Sequence, residues 1–282
     1  MATVEYQRNS YSKQDGKSEL RNAIDLSIQA EDTDVIATDD GHIPSLYKKE
    51  TGILSSFLIV VISGGDVRES NYFREIAKKR TFPRVKLIFL SSERNKGGLT
   101  PKMMLTKMKD TIDFDEQTVS NKLLLSSIDK IFMVSDVDHY YNELSEIIPG
   151  NKEPKVIWIV SNPCFEIWLY YSCFDYIKDD IRALESLPQS KQSSTLKTIN
   201  DSIIKGGIDP RKAFERIKTT NENAKAHYDE DENRIPKLYS TNMYVLGEYV
   251  LDAIGEGEFE NWLKAKQRSI EAYRKNNNIC KR

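Results

Sequence analysis

The feature of this chain that most constrains its fold is an apolar segment that ends in two aspartates. Residues 131–141 read Ile-Phe-Met-Val-Ser-Asp-Val-Asp-His-Tyr-Tyr. The apolar part is typical of a strand buried on both faces of a parallel sheet. If the strand continues through the aspartates, Asp136 and Asp138 lie on one face, roughly 6.5–7 Å apart. The carboxyl end of such a strand faces the crevice where open α/β sheets bind ligands.

The paired aspartates allow two interpretations. Two carboxylates in one crevice repel each other, and a divalent cation with oxygen ligands, usually Mg²⁺, relieves that repulsion. Alternatively, the aspartates only cap the helix that follows, because Asp is a favoured N-cap residue. The motif alone leaves both interpretations open.

Three more apolar segments have the composition of buried strands, at residues 57–62, 85–90 and 156–160. Helical patterns are expected over residues 68–80, from Pro101 onward with Met103, Met104, Leu105 and Met108 inside, and over residues 140–148. This alternation predicts an α/β fold with a mainly parallel sheet flanked by helices. Residues 123–128 are expected to end a helix that packs under the sheet.

The composition divides the chain into three parts. Residues 1–55 are polar and weakly patterned, which predicts an N-terminal arm that can be partly disordered. Residues 56–176 contain the four strands and form the predicted α/β core. Residues 177–282 are predicted to form a helical C-terminal extension packed on that core, with residues 191–194 in a loop and a helix that begins at Asp209-Pro210.

The charges are unevenly distributed, although the formal net charge is only -2. Residues 74–109 contain eleven Lys or Arg against two acids, and residues 110–146 contain nine acids against two lysines. A basic stretch beside an acidic centre suits an enzyme that acts on a phosphate polymer, but it is also typical of a solvated helix face. The predicted nucleic-acid contacts are Lys78, Lys79, Arg80, Arg94, Lys96 and Lys102.

Cysteine usage and hydropathy indicate the compartment. The three cysteines are an odd number without metal-ligand spacing, which favours free thiols in a reducing compartment. The first twenty residues lack the apolar core of a signal peptide, and residues 57–62 are too few to cross a bilayer. We therefore expect a cytoplasmic protein that does not contact a membrane.

A second candidate site follows the last strand, where residues 161–169 read Ser-Asn-Pro-Cys-Phe-Glu-Ile-Trp-Leu. Asn162 is a favoured N-cap residue and Pro163 a favoured first helical residue. Glu166 would then occupy the fourth helical position among large apolar neighbours. A buried carboxylate needs a cation or several hydrogen bonds. A metal shared with the aspartates and a lysine or arginine partner both remain open.

The order of strands, glycine turn and acidic motifs resembles the Toprim fold and, more closely, the RloB family of bacterial proteins met beside restriction and abortive-infection systems. Residues 62–73 (ISGGDVRESNYF) are similar to the family's Glu-Gly-x-x-Thr-Glu-Pro-Asn-Tyr-Phe turn. Residues 134–139 match its Asp-x-Asp motif, and residues 161–169 (SNPCFEIWL) nearly match its signature. Weaker similarity lies at residues 223–226 and 236–246, so the resemblance spans roughly residues 57–250.

This resemblance implies a Toprim-like, metal-dependent nuclease that cleaves phosphodiester bonds in anti-phage defence. Asp136, Asp138 and Glu166 would hold Mg²⁺, or Mn²⁺ in its place, and Glu69 or Asp66 would complete the site. DNA, RNA and nucleotides all remain candidate substrates, and a second defence protein is a candidate partner. His139 is a candidate acid or base, although a lone His at a helix start more often has a capping or packing role.

The chain departs from the family pattern at Gly64, where the family has its Toprim glutamate. The family's second glutamate corresponds to Glu69. A missing general base puts a rate contribution of about 10²–10⁴ in doubt. The alternative is therefore a catalytically diverged module that binds nucleic acid, a nucleotide or a defence partner.

Overall fold

The computed structural model describes residues 57–65, 67–74, 76–78, 81–92, 98–114 and 122–279. Its centre is a four-stranded sheet in which every neighbouring pair is parallel. The strands are β1 (Phe57–Ser63), β2 (Val85–Leu90), β3 (Ile112–Asp113), β4 (Leu123–Leu124), β5 (Lys130–Asp136) and β6 (Val156–Ser161). The order across the sheet is β2-β1-β5-β6, and the short β3 and β4 form a separate parallel pair.

Ten α-helices lie in the described part of the chain. They are α1 (Val67–Phe73), α2 (Pro101–Thr111), α3 (Tyr141–Gly150), α4 (Glu166–Tyr171), α5 (Asp179–Arg182), α6 (Gln189–Ser202), α7 (Pro210–Ala213), α8 (Ile217–Ala226), α9 (Met243–Ile254) and α10 (Glu256–Ile279). Short 3₁₀ helices occupy Ala183–Ser186 and Phe214–Arg216. No helix within these described segments is long and apolar enough to cross a bilayer.

The sheet separates two hydrophobic cores because successive side chains of a strand point to opposite faces. Along β1, Ile59 and Val61 belong to the first core, and Leu58, Val60 and Ile62 belong to the second. The first core also contains side chains from α1, α4, α6 and the later helices. The second core also contains side chains from α2 and α3. Both faces of the sheet are therefore covered, as a parallel sheet requires.

The C-terminal helices share the first core with the sheet. The ring of Phe214, which is fully buried, lies 5.8 Å from that of Tyr72 in α1 and 6.3 Å from that of Phe82. Phe259 of α10 lies 5.9 Å from the same ring and 6.5 Å from that of Phe82. Residues far apart in the chain thus bury one continuous apolar cluster.

The predicted α/β architecture with a mainly parallel sheet is confirmed, but four local predictions are wrong. The helix expected over residues 68–80 ends at Phe73. Residues 123–128 contain β4, which pairs with β3, and a turn rather than a helix end. Residues 191–194 lie inside α6, whose buried stripe includes the polar Ser193 and Asn200 and so hides its helical pattern. In α2 the buried face carries Met104 and Met108 at i and i+4, which leaves Met103 45% exposed.

Candidate functional site

Asp136 is the last residue of β5, at the carboxyl end of the parallel sheet. Alternation along the strand places its side chain on the same face as Phe132 and Val134, towards the first core. The backbone N–H of Phe165 donates a hydrogen bond to Asp136 Oδ1 over 2.8 Å. This bond ties the end of β5 to the segment that follows β6.

Glu166 is the first residue of α4 and only 3% exposed. Its Oε1 lies 3.2 Å from Arg68 Nε, and Arg68 also donates to Asp201 of α6 over 2.8 Å. Its Oε2 is buried and accepts no hydrogen bond from the residues that the structure describes. Of the alternatives that the sequence leaves open, the arginine partner is therefore present, but Oε2 has no N–H or O–H donor among the described residues.

The predicted helix start at Asn162 and Pro163 is wrong. The Asn162–Pro163 peptide is cis, and α4 begins at Glu166 without a side-chain cap. Asn162 instead donates its side-chain amide to Pro236 O over 2.7 Å and its backbone N–H to Ser240 O over 3.0 Å. Because this asparagine binds a distant segment, Glu166 stands at the helix start and not at the fourth helical position.

Glu69 reaches the glycine turn from α1 and is 6% exposed. A Cβ built on Gly65 would lie 1.9 Å from Glu69 Oε1, so the missing side chain of Gly65 leaves the space that this carboxylate fills. A Cβ built on Gly64 would lie 3.0 Å from the carbonyl oxygen of Leu99. The backbone N–H of Leu99 also donates a hydrogen bond to the carbonyl oxygen of Gly64. The close packing at Gly64 disfavours a glutamate there, and α1 supplies the carboxylate of the turn.

Asp136, Glu69 and Glu166, from β5, α1 and α4, interact electrostatically and are called the acidic cluster below. Burial raises the pKa of Asp136 well above its usual value of 3.8, and the charges of Glu69 and then Glu166 raise it further. The charge of Lys197 and the Phe165 N–H act in the opposite direction. The cluster thus concentrates negative charge at the end of the sheet.

Lys197 of α6 and Cys164 lie beside the acidic cluster. Burial lowers the pKa of Lys197, but the charge of Glu166, followed by those of Asp136 and Glu69, raises it above its ordinary value. Lys197 therefore stays protonated. Burial raises the pKa of the Cys164 thiol well above its ordinary value, and so do the charges of Glu166 and Asp136 and a hydrogen bond to the Glu166 side chain. Cys164 is consequently a neutral thiol and not a nucleophilic thiolate.

Asp138 lies beyond the end of β5, where the chain turns. Its φ is 21°, and its N–H bonds to Pro163 O over 3.3 Å, so the extended geometry that would place it on the face of Asp136 does not continue. Its Oδ1 lies 3.5 Å from His139 Nε2 and accepts no hydrogen bond from described residues. The two aspartates therefore have different surroundings.

The donor set suits a hard cation, although the placement is not that of a closed metal site. Within the described segments, no three His, Cys, Asp or Glu side chains are grouped so that they could hold a metal ion. Mg²⁺ usually retains several waters and binds one or two protein carboxylates. The oxygen ligands of the acidic cluster, including the orphaned Oε2 of Glu166, fit a site of that open kind.

Of the predicted nucleic-acid contacts, the structure describes Lys78 and Lys102. Both are exposed, and Lys102 Nζ lies 3.7 Å from Glu146 Oε2 of α3. The other predicted contacts, Lys79, Arg80, Arg94 and Lys96, and the candidate ligand Asp66 lie outside the described residues.

Sequence reasoning missed Arg68 and Lys197 as cations of the site. Arg68 directly precedes Glu69, in a turn that is similar to the family motif. This position next to a candidate acid could have indicated that Arg68 belongs to the site. Lys197 lies in a polar stretch with no motif, so only the tertiary packing of α6 identifies it.

Comparisons with known proteins give one match. Neither the curated proteins nor the solved structures include a significant match to this chain. A family model described as RloB-like protein matches residues 59–250, which is more than half of the chain and includes the whole acidic cluster. The chain therefore belongs to the family of RloB-like proteins.

Proposed function

We propose that this protein is a metal-dependent nuclease that cleaves phosphodiester bonds, with Mg²⁺ or Mn²⁺ bound at the acidic cluster. The observation that carries the proposal is the buried carboxylate of Glu166, whose Oε2 has no hydrogen-bond donor among the described residues. Beside it, Asp136 has a raised pKa because of burial and two neighbouring carboxylates. Strongly perturbed acids in one place are typical of functional sites.

A second buried acid shows what a purely structural carboxylate looks like in the same fold. Asp129, 1% exposed, accepts hydrogen bonds from Leu58 N over 3.0 Å and from the N–H and hydroxyl of Ser126 over 2.7 and 2.6 Å. Buried polar groups are normally satisfied in this way. The Oε2 atom of Glu166 has no such donor among the described residues, and a bound cation would satisfy it.

Each residue of the site has a proposed role. Asp136 and Glu166 would hold the cation together with water, and Glu69 would add negative charge beside them. The cation would activate water and stabilise the charge that develops on the phosphate. Arg68 and Lys197 would add positive charge beside the same phosphate. Asp138 would orient His139, which is 63% exposed and can exchange a proton with solvent.

The wider setting belongs to the same proposal. Exposed lysines such as Lys78 and Lys102 would bind the nucleic-acid backbone without sequence preference. The protein would act in the cytoplasm in anti-phage defence, as the features of the family imply, with or without a second defence protein. The position of Asp136 at the carboxyl end of β5 supports this proposal, because open α/β sheets bind ligands there.

A cleavage assay tests the proposal. Purified protein is incubated with plasmid, single-stranded DNA or RNA in Mg²⁺, Mn²⁺ or EDTA. Metal-dependent cleavage that is lost in Asp136→Asn and Glu166→Gln, but kept in the exposed-site control Asp252→Asn, supports a nuclease. Cleavage that survives in both cluster variants would refute the assignment of the site.

One observation favours the second candidate, a diverged module that binds nucleic acid or a nucleotide. Arg68 and Lys197 already place two positive charges beside the acidic cluster. A site neutralised by the protein's own cations needs no metal. This candidate predicts binding in EDTA, no cleavage of any substrate, and unchanged binding in Asp136→Asn.

A further inference from the structure

A cleft with a volume of about 340 Å³ opens beside the carboxyl end of β5. Val137 lines it, whereas no residue of the acidic cluster does. Its volume is at the lower end of the range of ligand pockets, about 300–1,000 Å³. The cleft is therefore a separate feature next to the proposed catalytic site, large enough for one flat ring system.

The side-chain amides that line this cleft have their N–H groups bonded to protein carbonyls. Gln192 Nε2 donates to both Leu184 O and Leu187 O, over 3.1 and 3.2 Å, which uses both of its hydrogens and fixes the amide orientation. Asn162 Nδ2 donates to Pro236 O, and Gln189 Nε2 donates to Asp138 O, each over 2.7 Å.

These bonds decide what the cleft offers to a ligand. The amide oxygens of Asn162, Gln189 and Gln192 accept no hydrogen bond from the described part of the chain. An amide oxygen of this kind can only accept. The amides of these lining residues therefore have acceptors left over, which a ligand with N–H donors would satisfy.

An aromatic ring, a carboxylate and a lysine also line the cleft. The lysine, Lys237, is paired with Asp229 over 2.9 Å. The Tyr141 hydroxyl donates to Asp231 Oδ2 over 2.5 Å, which holds the ring in place. Asp231 Oδ1 accepts the N–H groups of Asn233 and Ile235. Burial raises the pKa of Asp231, but the hydrogen bonds from Tyr141, Ile235 and Asn233 outweigh burial and lower it, so this carboxylate stays charged and disfavours acceptor-rich ligands.

We propose that this cleft binds a nucleobase that carries an exocyclic amino group, with the base stacked on Tyr141 and its amino group bonded to two of the amide oxygens of Asn162, Gln189 and Gln192. Adenine, cytosine and guanine carry such a group, whereas uracil and thymine do not. Stacking on an aromatic side chain with hydrogen bonds to the base edge is the usual way to bind unpaired bases.

The position of the cleft connects it to the proposed nuclease. Gln189 bonds the carbonyl of Asp138, two residues after Asp136, so a base in the cleft would bring its phosphate towards the acidic cluster. The inference rests on the proposed function only in taking the base to be part of that nuclease's substrate. Binding of the base itself requires neither metal nor cleavage.

Two matched ligand pairs test the inference in EDTA by calorimetric titration. Cytidine monophosphate has an amino group with two N–H donors where uridine monophosphate has a carbonyl and one ring N–H. Adenosine and inosine monophosphate differ in the same way. We expect the amino-bearing member of each pair to bind at least about tenfold more tightly, which corresponds to one recognised hydrogen bond. Equal affinities within both pairs, or no binding up to about 1 mM, would overturn the inference.

Variants of the lining provide the second arm. Tyr141→Ala should weaken binding of cytidine monophosphate about tenfold and Tyr141→Phe less than threefold, because only the first removes the stacking ring. Gln189→Met should reduce the preference within each pair, and Ser194→Ala, exposed on the same helix, should have no effect. Unchanged binding in Tyr141→Ala, or free arginine binding as tightly as cytidine monophosphate, would refute a nucleobase site.

The two proposals fail separately. Selective nucleotide binding without any cleavage would support the nucleobase site and refute the nuclease proposal. Metal-dependent cleavage, together with equal binding of both members of each nucleotide pair, would support the nuclease proposal and refute the nucleobase site.

Discussion

Arg68 Nε lies 3.2 Å from Glu166 Oε1, and the second oxygen of the same carboxylate is buried without a donor in the described part of the chain. The guanidinium also reaches Asp201, so it joins α1, α4 and α6. A metal ion at the acidic cluster would bind the Glu166 carboxylate, whose negative charge Arg68 already partly neutralises. The ion pair therefore stabilises the metal-free protein and lowers the affinity for a cation.

Arg68→Ala should destabilise the protein, because it leaves the Glu166 carboxylate without its bonded cation. Removing one partner of a buried ion pair lowers the free energy of unfolding by about 3–5 kcal/mol. Because Arg68 is 25% exposed and Lys197 remains beside Glu166, we expect a smaller loss of about 1–3 kcal/mol. Urea unfolding near neutral pH measures this loss. Asp201 is 65% exposed, so Asp201→Asn should cost less than about 1 kcal/mol. An equal loss in both variants would contradict the role assigned to the Glu166 pair.

Asp136→Asn should stabilise the metal-free protein at neutral pH. The pKa of Asp136 is raised on folding, so its contribution to stability is fully present below its usual value of 3.8 and is lost as the pH rises through the raised value. Asparagine removes this loss and can still accept the Phe165 N–H. The free energy of unfolding, measured from acid to neutral pH, should therefore fall less in Asp136→Asn than in the unmodified protein. Asp252→Asn, at an exposed position, should follow the unmodified protein.

Mg²⁺ should stabilise the unmodified protein by binding the folded state. A ligand at 100 times its Kd adds about 2.7 kcal/mol, which a thermal shift detects easily. Asp136→Asn and Glu166→Gln should lose this shift, whereas Arg68→Ala should keep or increase it, because it removes a competing cation. A shift of equal size in Asp136→Asn would place the ion somewhere other than at the acidic cluster.

The sequence predicts the parts of this structure that depend on neighbouring residues. Apolar runs specify the four central strands, and Asp209-Pro210 marks a real helix start, where Asp209 accepts the N–H of Arg211. The similar pair Asn162-Pro163 does not mark one, because the Asn162 amide bonds Pro236, 74 residues away. Contacts between distant segments likewise bring Arg68 and Lys197 to Glu166. Local sequence thus identifies the three acids of the acidic cluster, but it groups Asp138 with them and misses the cations beside them.

Phe214→Ala should destabilise the whole α/β unit, because Phe214 joins the C-terminal helices to the sheet side of the first core. Truncation of a fully buried Phe costs about 3–5 kcal/mol. Circular dichroism and tryptophan fluorescence should report one coincident unfolding transition at lower urea. Tyr273→Ala, at a residue 70% exposed on α10, should change stability by less than about 0.5 kcal/mol. Separate transitions for the two probes would show that residues 177–279 fold independently of the sheet.

Gly65→Ala should impair the site to the same extent as Glu69→Gln while leaving the fold intact. An alanine Cβ would lie 1.9 Å from Glu69 Oε1, and the flexible end of the glutamate can move away at low cost to the fold. We expect less than about 1 kcal/mol of destabilisation in urea, since no core side chain is removed.

The readouts for Gly65→Ala are the Mg²⁺-induced thermal shift and metal-dependent cleavage. Both should fall as in Glu69→Gln, because either change takes a carboxylate away from the neighbourhood of Asp136. The double variant Gly65→Ala/Glu69→Gln should then be no worse than Glu69→Gln alone, since the alanine has no carboxylate left to displace. Additive losses would mean that Gly65 acts on the site by another route, such as the path of the turn itself. In that case the proposed supply of a carboxylate from α1 to the end of β1 would be wrong.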